Sequence, residues 1–174
     1  MIRLLQVLTI LINITLFPVW LKADESYIPI LVPVTGFLSL EGTAQRNGAI
    51  QALDKAPINL NIKYEVSDTA TSPEVAVTAL HRALSRGQPA AIAAPIFGTQ
   101  MLAMLPIAKR ASVPLITVSG TAKLTELNNP FIFRFFPGDS VVKVAHARYI
   151  HEVLGAKRPA LLYQTTAYGQ SGYS

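Results

Sequence analysis

From Tyr27 onward, short apolar runs alternate with longer stretches in which apolar residues recur at helical spacing. Alternation of that kind predicts a parallel sheet covered by helices on both faces, so the expected class is α/β with an open, mostly parallel sheet. The first run, 28–34, predicts a strand that leaves through Thr35 and Gly36 into a loop. A helix follows over 41–53, with Ala44, Ile50 and Leu53 toward its buried side. The second strand, 60–66, alternates Leu60, Ile62, Tyr64 and Val66 with Asn61, Lys63 and Glu65, the pattern of a half-exposed strand at a sheet edge. The next boundary is the best marked. Ser72 can cap a helix, Pro73 suits its first position, Glu74 faces its positive end, and Gly87 closes it. Between them Ala76, Leu80, Ala83 and Leu84 make one apolar stripe.

The run 90–94 is apolar throughout, which predicts a central strand. A helix over 100–111 contains Pro106, which is expected to bend it or mark a restart. A fourth strand over 113–118 leads through Ser119, Gly120 and Thr121 to a short helix, 122–127, which Asn128, Asn129 and Pro130 end as a turn. Another extended run covers 131–135. Asp139 then reads as the cap of a helix over 140–154 that Gly155 stops, and 160–163 reads as one more strand before a Tyr168-Gly169 loop. A lone helix-strand unit buries little apolar area. The expected organisation is therefore a first lobe over 24–136 and the opening of an incomplete second lobe over 137–174.

The first 23 residues have a different character. Arg3 precedes an apolar run over 4–21, and Lys22-Ala23 comes before Asp24-Glu25, the layout of a cleavable secretory signal peptide. A retained anchor is the alternative reading, since about 18 apolar residues can span a bilayer. With 15 Lys and Arg against 10 Asp and Glu, the cations are too few and too scattered to predict a nucleic-acid partner. No cysteine occurs, which excludes disulfides, zinc-thiolate sites, a thiol nucleophile and a lipid-anchored export signal. An exported chain of this kind is expected in the periplasm of a two-membraned bacterium.

In an open parallel sheet the ligand crevice lies beyond the carboxyl ends of the strands. The loops of interest are Gly98-Thr99, Ser119-Gly120-Thr121, and 165–169 with Tyr168. The first two open helices, whose unpaired N–H groups and positive dipole end suit a carboxylate, and glycine beside a hydroxyl lets backbone approach a ligand closely. Thr99 and Thr121 are equally readable as plain helix caps. Enzyme signals are weak. Gly36 and Gly42 are wrongly spaced for a dinucleotide loop, and no phosphate-loop lysine or nucleophile-elbow serine motif occurs. His81, His146 and His151 lack metal-site spacing. The expectation is a non-catalytic chain with no cofactor and no metal.

Taken in order, Ile28 to Gly36 with Glu41-Gly42, Val113 to Thr121 with Leu124-Thr125, Phe133-Arg134 with Asp139, and Tyr168-Gly169 resemble the periplasmic leucine/isoleucine/valine-binding proteins of ABC transporters. The resemblance implies a monomeric two-lobed clamp that captures a small amino-acid-like ligand and delivers it to an inner-membrane ABC permease. It implies that Ser119 and Thr121 hydrogen-bond the α-carboxylate or α-ammonium, that Gly98 or Thr99 helps from the next loop, and that Tyr168 covers the ligand from the second lobe. Glu41 departs from an aromatic that some relatives place there. It would favour a cationic or hydroxylated ligand side chain, unless it is a solvated helix-start glutamate. Alternative readings are a membrane-anchored sensing domain of the same fold, an α/β enzyme, and a truncated fragment that binds poorly and exposes apolar surface near 160–163.

Overall fold

The computed structural model describes residues 25–57 and 60–173; the expected signal segment lies outside them. The elements are β1 (Ser26–Val32), α1 (Ser39–Asp54), β2 (Ile62–Asp68), α2 (Pro73–Arg86), β3 (Ile92–Ala93), α3 (Gly98–Ala111), β4 (Leu115–Thr117), α4 (Lys123–Glu126), β5 (Ile132–Arg134), α5 (Asp139–Arg148) and α6 (Ala167–Tyr173), with a π-helical stretch Tyr149–Val153 after α5. The five strands form one sheet in the order β2-β1-β3-β4-β5, and every pairing is parallel. The edge position of β2 and the central position of β3 match the patterns that predicted them. β1 ends at Val32 rather than at 34, because Pro33 has no N–H for the ladder and the Val34 N–H turns back to the Val32 carbonyl at 3.1 Å.

Two helices cover one face of the sheet. Ala76, Ala79, Leu80 and Ala83 of α2 pack with Met101, Met104 and Ala108 of α3 against Leu31, Ile92 and Leu115. Ser72 caps α2 as its sequence predicts, its Oγ accepting the Val75 N–H at 3.3 Å. Along β4 the neighbouring side chain, Ile116, points the opposite way, into a groove shared with α1, so α1 lies on the other face. That second face is only partly covered. Ile116 is 40% exposed, and Phe133, paired with it in register, is 47% exposed. Within α1, Gly42 is the buried residue and Ala44 is exposed, contrary to the expected stripe. A Cβ on Gly42 would collide with the Pro33 carbonyl oxygen, so the glycine sets how closely α1 approaches the end of β1.

Two further expectations change, and the one on Pro106 is narrowed. The helix around Pro106 runs from Gly98 to Ala111 without a restart, because Pro106 lies on the exposed side, where the carbonyl it leaves unpaired can meet water. The helix expected over 140–154 changes to π-helical winding at Tyr149. The strand expected over 160–163 does not form. A strand needs a ladder partner, none of the described strands offers one, and Leu162 is 98% exposed.

Candidate functional site

The strand order fixes where a ligand can sit. From β1 the chain moves outward to β2 and then crosses back to β3 on the other side, so the connections leaving β1 and β3 diverge. Such a switch point leaves a crevice at the carboxyl ends of the two strands. A cavity of about 240 Å³ opens there, walled by Phe37 and Leu38 after β1, Ile96 to Gly98 after β3, and Val118 and Gly120 after β4. Phe136, Asp139, Gln164 and Tyr168 complete the wall from the following segment.

Each loop is held by polar contacts that its sequence supplies. At the end of β2, Asp68 Oδ1 accepts the N–H groups of Val34 (2.9 Å), Thr35 (3.2 Å) and Ala70 (2.8 Å), and its Oδ2 accepts the Thr35 hydroxyl at 2.5 Å. Burial alone would raise the Asp68 pKa, but the Thr35 hydroxyl and the backbone donors outweigh it and hold the carboxyl below its ordinary value. The Thr71 hydroxyl donates to the Thr35 carbonyl at 2.9 Å, and Gly36, at φ +87°, turns the chain so that Phe37 projects over the crevice. The Phe37 ring meets Phe97 edge-on, with centroids 5.4 Å apart, and Phe97 meets Tyr168 at 6.3 Å.

Gln45 fastens the loop after β3 from α1. Its Nε2 donates to the Ala94 carbonyl at 2.6 Å, and its Oε1 accepts the Ile96 N–H at 3.1 Å. From inside the core, Gln100 Nε2 donates to the carbonyls of Thr69 (2.9 Å) and Ser72 (3.1 Å), tying the start of α3 to the loop that follows β2. The loop after β4 is pinned by the Thr117 hydroxyl, which donates to the Pro95 carbonyl at 2.7 Å and accepts the Ser119 N–H at 3.0 Å. A Cβ on Gly98 would collide with the Thr121 hydroxyl, so the loops leaving β3 and β4 touch because position 98 is glycine.

Of the residues singled out from sequence, Gly98, Gly120 and Tyr168 line the cavity. Thr99 lies at its rim, where its hydroxyl accepts the Tyr168 N–H at 3.3 Å. Ser119 and Thr121 lie beneath Gly120, 1% and 0% exposed, with their hydroxyls 3.4 Å apart and hydrogen-bonded to each other. They shape the wall from below and are not part of its surface. Glu41 lines a different groove, with Gln45, Gly48, Ile116 and Phe135. Sequence reasoning missed the ring wall of Phe37, Phe97 and Phe136. It also misread Asp139. Gly138 holds the cap position of α5, no side chain caps that helix, and Asp139 is its first residue.

The geometry of a single switch-point crevice ringed by loops matches what sequence comparison finds. A family model described as periplasmic binding protein matches residues 25–174. The chain belongs to that family. Comparison with curated proteins finds no match. Among solved structures, a leucine binding protein, LivK, from Thermotoga maritima superposes with a TM-score of 0.80 at 25% identity, over 85% of this chain and 43% of that one. LivJ, the branched-chain amino acid transporter substrate binding protein of Streptococcus pneumoniae solved with isoleucine, gives 0.70 at 23% identity, over 77% and 40%. An ABC transporter solute binding protein from Rhodopseudomonas palustris BisB5, solved with 3,4-dihydroxybenzoic acid, gives 0.76 at 23% identity, over 86% and 42%. The present chain thus spans less than half the length of these proteins.

Proposed function

We propose that this chain provides the first wall of the ligand cleft in an exported solute-binding protein of an ABC uptake system, and that its solute is a small amino acid. In that reading nothing is catalysed. The protein works as a monomer outside the cytoplasmic membrane and hands the solute to a membrane permease, with residues 137–174 beginning the opposite wall. The observation that carries the reading is the hollow at the β1/β3 switch point, where the N-terminus of α3 at Gly98 presents unpaired N–H groups and dipole to a carboxylate, as α-carboxylate binding requires. The family match and the likeness to the leucine-binding protein support it.

Its test is calorimetric titration of the full-length chain with the branched-chain and aromatic amino acids. Saturable one-to-one binding with a negative heat-capacity change is the expected result, since the solute's apolar part would leave water. No binding of any amino acid would reject the reading. A second reading is favoured by the rings of Phe37, Phe97, Phe136 and Tyr168, which offer flat apolar surface to an aromatic acid like the one in the Rhodopseudomonas palustris protein. Hydroxybenzoates belong in the same titration for that reason.

A further inference from the structure

Gln100 is a polar side chain where packing alone would ask for an apolar one. It lies in the first turn of α3, fully buried, on the side that the helix turns toward the core. Its amide bonds leave the helix. The Nε2 group donates to the Thr69 carbonyl at 2.9 Å and to the Ser72 carbonyl at 3.1 Å, while Oε1 is buried without a hydrogen-bond partner. Enclosing an amide with one atom unsatisfied is costly, so what the two donated bonds hold in place has to offset that cost.

They hold a strained turn. Between Thr69 and Ser72, Ala70 and Thr71 both have left-handed backbone, at φ +48° and +53°. Neither is glycine, and such a conformation persists only where its surroundings impose it. Asp68 fixes the Ala70 N–H, and Gln100 grips the carbonyl on each side of the pair. The turn aims the Thr71 hydroxyl at the loop after β1, where it donates to the Thr35 carbonyl at 2.9 Å and accepts the Leu38 N–H at 3.4 Å. Those two groups bracket Gly36 and Phe37. Phe37 and Leu38 wall one side of the cavity, and Gly98, two residues before Gln100, walls another, so one buried amide stands behind both.

We propose that Gln100 is a positioning residue for solute capture: without touching the solute, it fixes the gap between the loop carrying Phe37 and the start of α3, acting through the 69–72 turn and the Thr71 hydroxyl. The proposal rests on the solute-binding reading. Gln45 holds the Ala94 carbonyl and the Ile96 N–H separately from α1, so removing the Gln100 donors loosens the Phe37 side and spares the loop after β3.

The test uses the full-length chain with Gln100→Met, similar in volume but without donors, and Thr71→Val, which keeps the shape and drops the hydroxyl. Amide hydrogen exchange comes first and needs no solute. In Gln100→Met the Leu38 N–H should exchange about tenfold faster, while the Ile96 N–H, a loop amide held by Gln45, keeps its rate. Equal change at both amides, or none at Leu38, would overturn the proposal, since it would mark a general effect on stability. Calorimetric titration with leucine, phenylalanine and 4-hydroxybenzoate follows. For each compound that the unmodified protein binds, both variants should bind about tenfold more weakly, the order of one or two lost hydrogen bonds. The double variant should lose no more than the weaker of the two, because the residues act in series. Val113→Ala is the control. Val113 is fully buried before the start of β4, at the end of the sheet away from the cavity, so its truncation should lower stability and leave affinity unchanged. Unchanged affinity in folded Gln100→Met, or additive losses in the double variant, would overturn the proposal and leave solute binding intact. If Gln100→Met does not fold, Gln100→Glu at about pH 5, where a buried carboxyl is neutral and keeps one donor, should show the same changes at smaller size. Binding of none of the three compounds by the unmodified protein would instead reject the solute-binding reading, and the Leu38 exchange rate would still report whether Gln100 holds the loop.

Discussion

The contact between the loops leaving β3 and β4 can be tested by adding one carbon atom. In Gly98→Ala the new Cβ would overlap the Thr121 hydroxyl and lie 2.7 Å from the Thr121 Cβ, closer than carbon atoms pack. Thr121 is fully buried and branched at Cβ, so it has no free rotamer into which to retreat, and the two loops must separate. Overpacking of this kind costs about 1–3 kcal/mol. Gly48 in α1 is the control, because nothing lies within 4 Å of a Cβ built there. Gly48→Ala should stabilise the protein by roughly 0.5–1 kcal/mol, the helical advantage of alanine over glycine. The two variants are therefore expected to differ by roughly 1.5–4 kcal/mol in the sum of these effects. Urea denaturation of the full-length chain reads this as opposite shifts in midpoint at constant slope. In a Thr121→Ala background the Gly98→Ala penalty should shrink, because the two sites share one contact. If Gly98→Ala is as stable as Gly48→Ala, the two loops do not meet as described.

Other consequences follow from the polar contacts that hold the crevice. Asp68→Asn replaces an acceptor facing the Thr35 hydroxyl by a donor and should destabilise the protein by about 1.5–3 kcal/mol in thermal or chemical denaturation. Because the folded pKa of Asp68 lies below its ordinary 3.8, its contribution is complete above that value and is lost as pH falls through the lower folded value. Below about pH 4 the unmodified protein should therefore lose stability more steeply than Asp68→Asn does. Burial first, then its hydrogen bond to Glu65, pushes the Tyr27 hydroxyl up from 10.0 to about 12. Tyr64, whose hydroxyl donates to Asp54, is also raised, so ultraviolet titration should show a late-ionising fraction that Tyr27→Phe reduces, and the stability Tyr27 contributes is present below pH 10 and lost as pH rises toward 12. Ser72→Ala removes the cap of α2 and should cost about 1 kcal/mol, measured the same way.

Where the sequence was informative, one local rule acted without competition. Alternation in β2 announced an edge strand, the unbroken apolar run at β3 announced a central one, and Ser72-Pro73 marked a helix start because each group there has a single favourable use. That the crevice lies at the carboxyl ends of the strands could be expected from an open parallel sheet, while the strand order that places it between β1 and β3 comes from the structure. Its aromatic lining could not be expected. Phe37, Phe97 and Phe136 come from three separate loops, and the Gly36 turn that brings Phe37 over the crevice lies in a loop held by Asp68, more than thirty residues away in the chain. Asp139 was misread for a similar reason. An aspartate before a helix is normally its cap, but the Asp139 N–H is held by the Gly120 carbonyl, and the cap position falls to Gly138. Ser119 and Thr121 are buried and hydrogen-bonded to each other, with the Thr121 hydroxyl against Gly98, a packing that their own residue types do not announce. The apolar run over 160–163 had strand composition and no neighbour, and pairing, not composition, makes a strand.

A crystal structure of the full-length chain grown with whichever amino acid binds in calorimetry tests the central claim most directly. The account predicts the solute in the hollow beyond β1 and β3, with its carboxylate at the start of α3 near Gly98 and its apolar part against Phe37 and Phe97. A solute held elsewhere, with this hollow filled only by water, would contradict it.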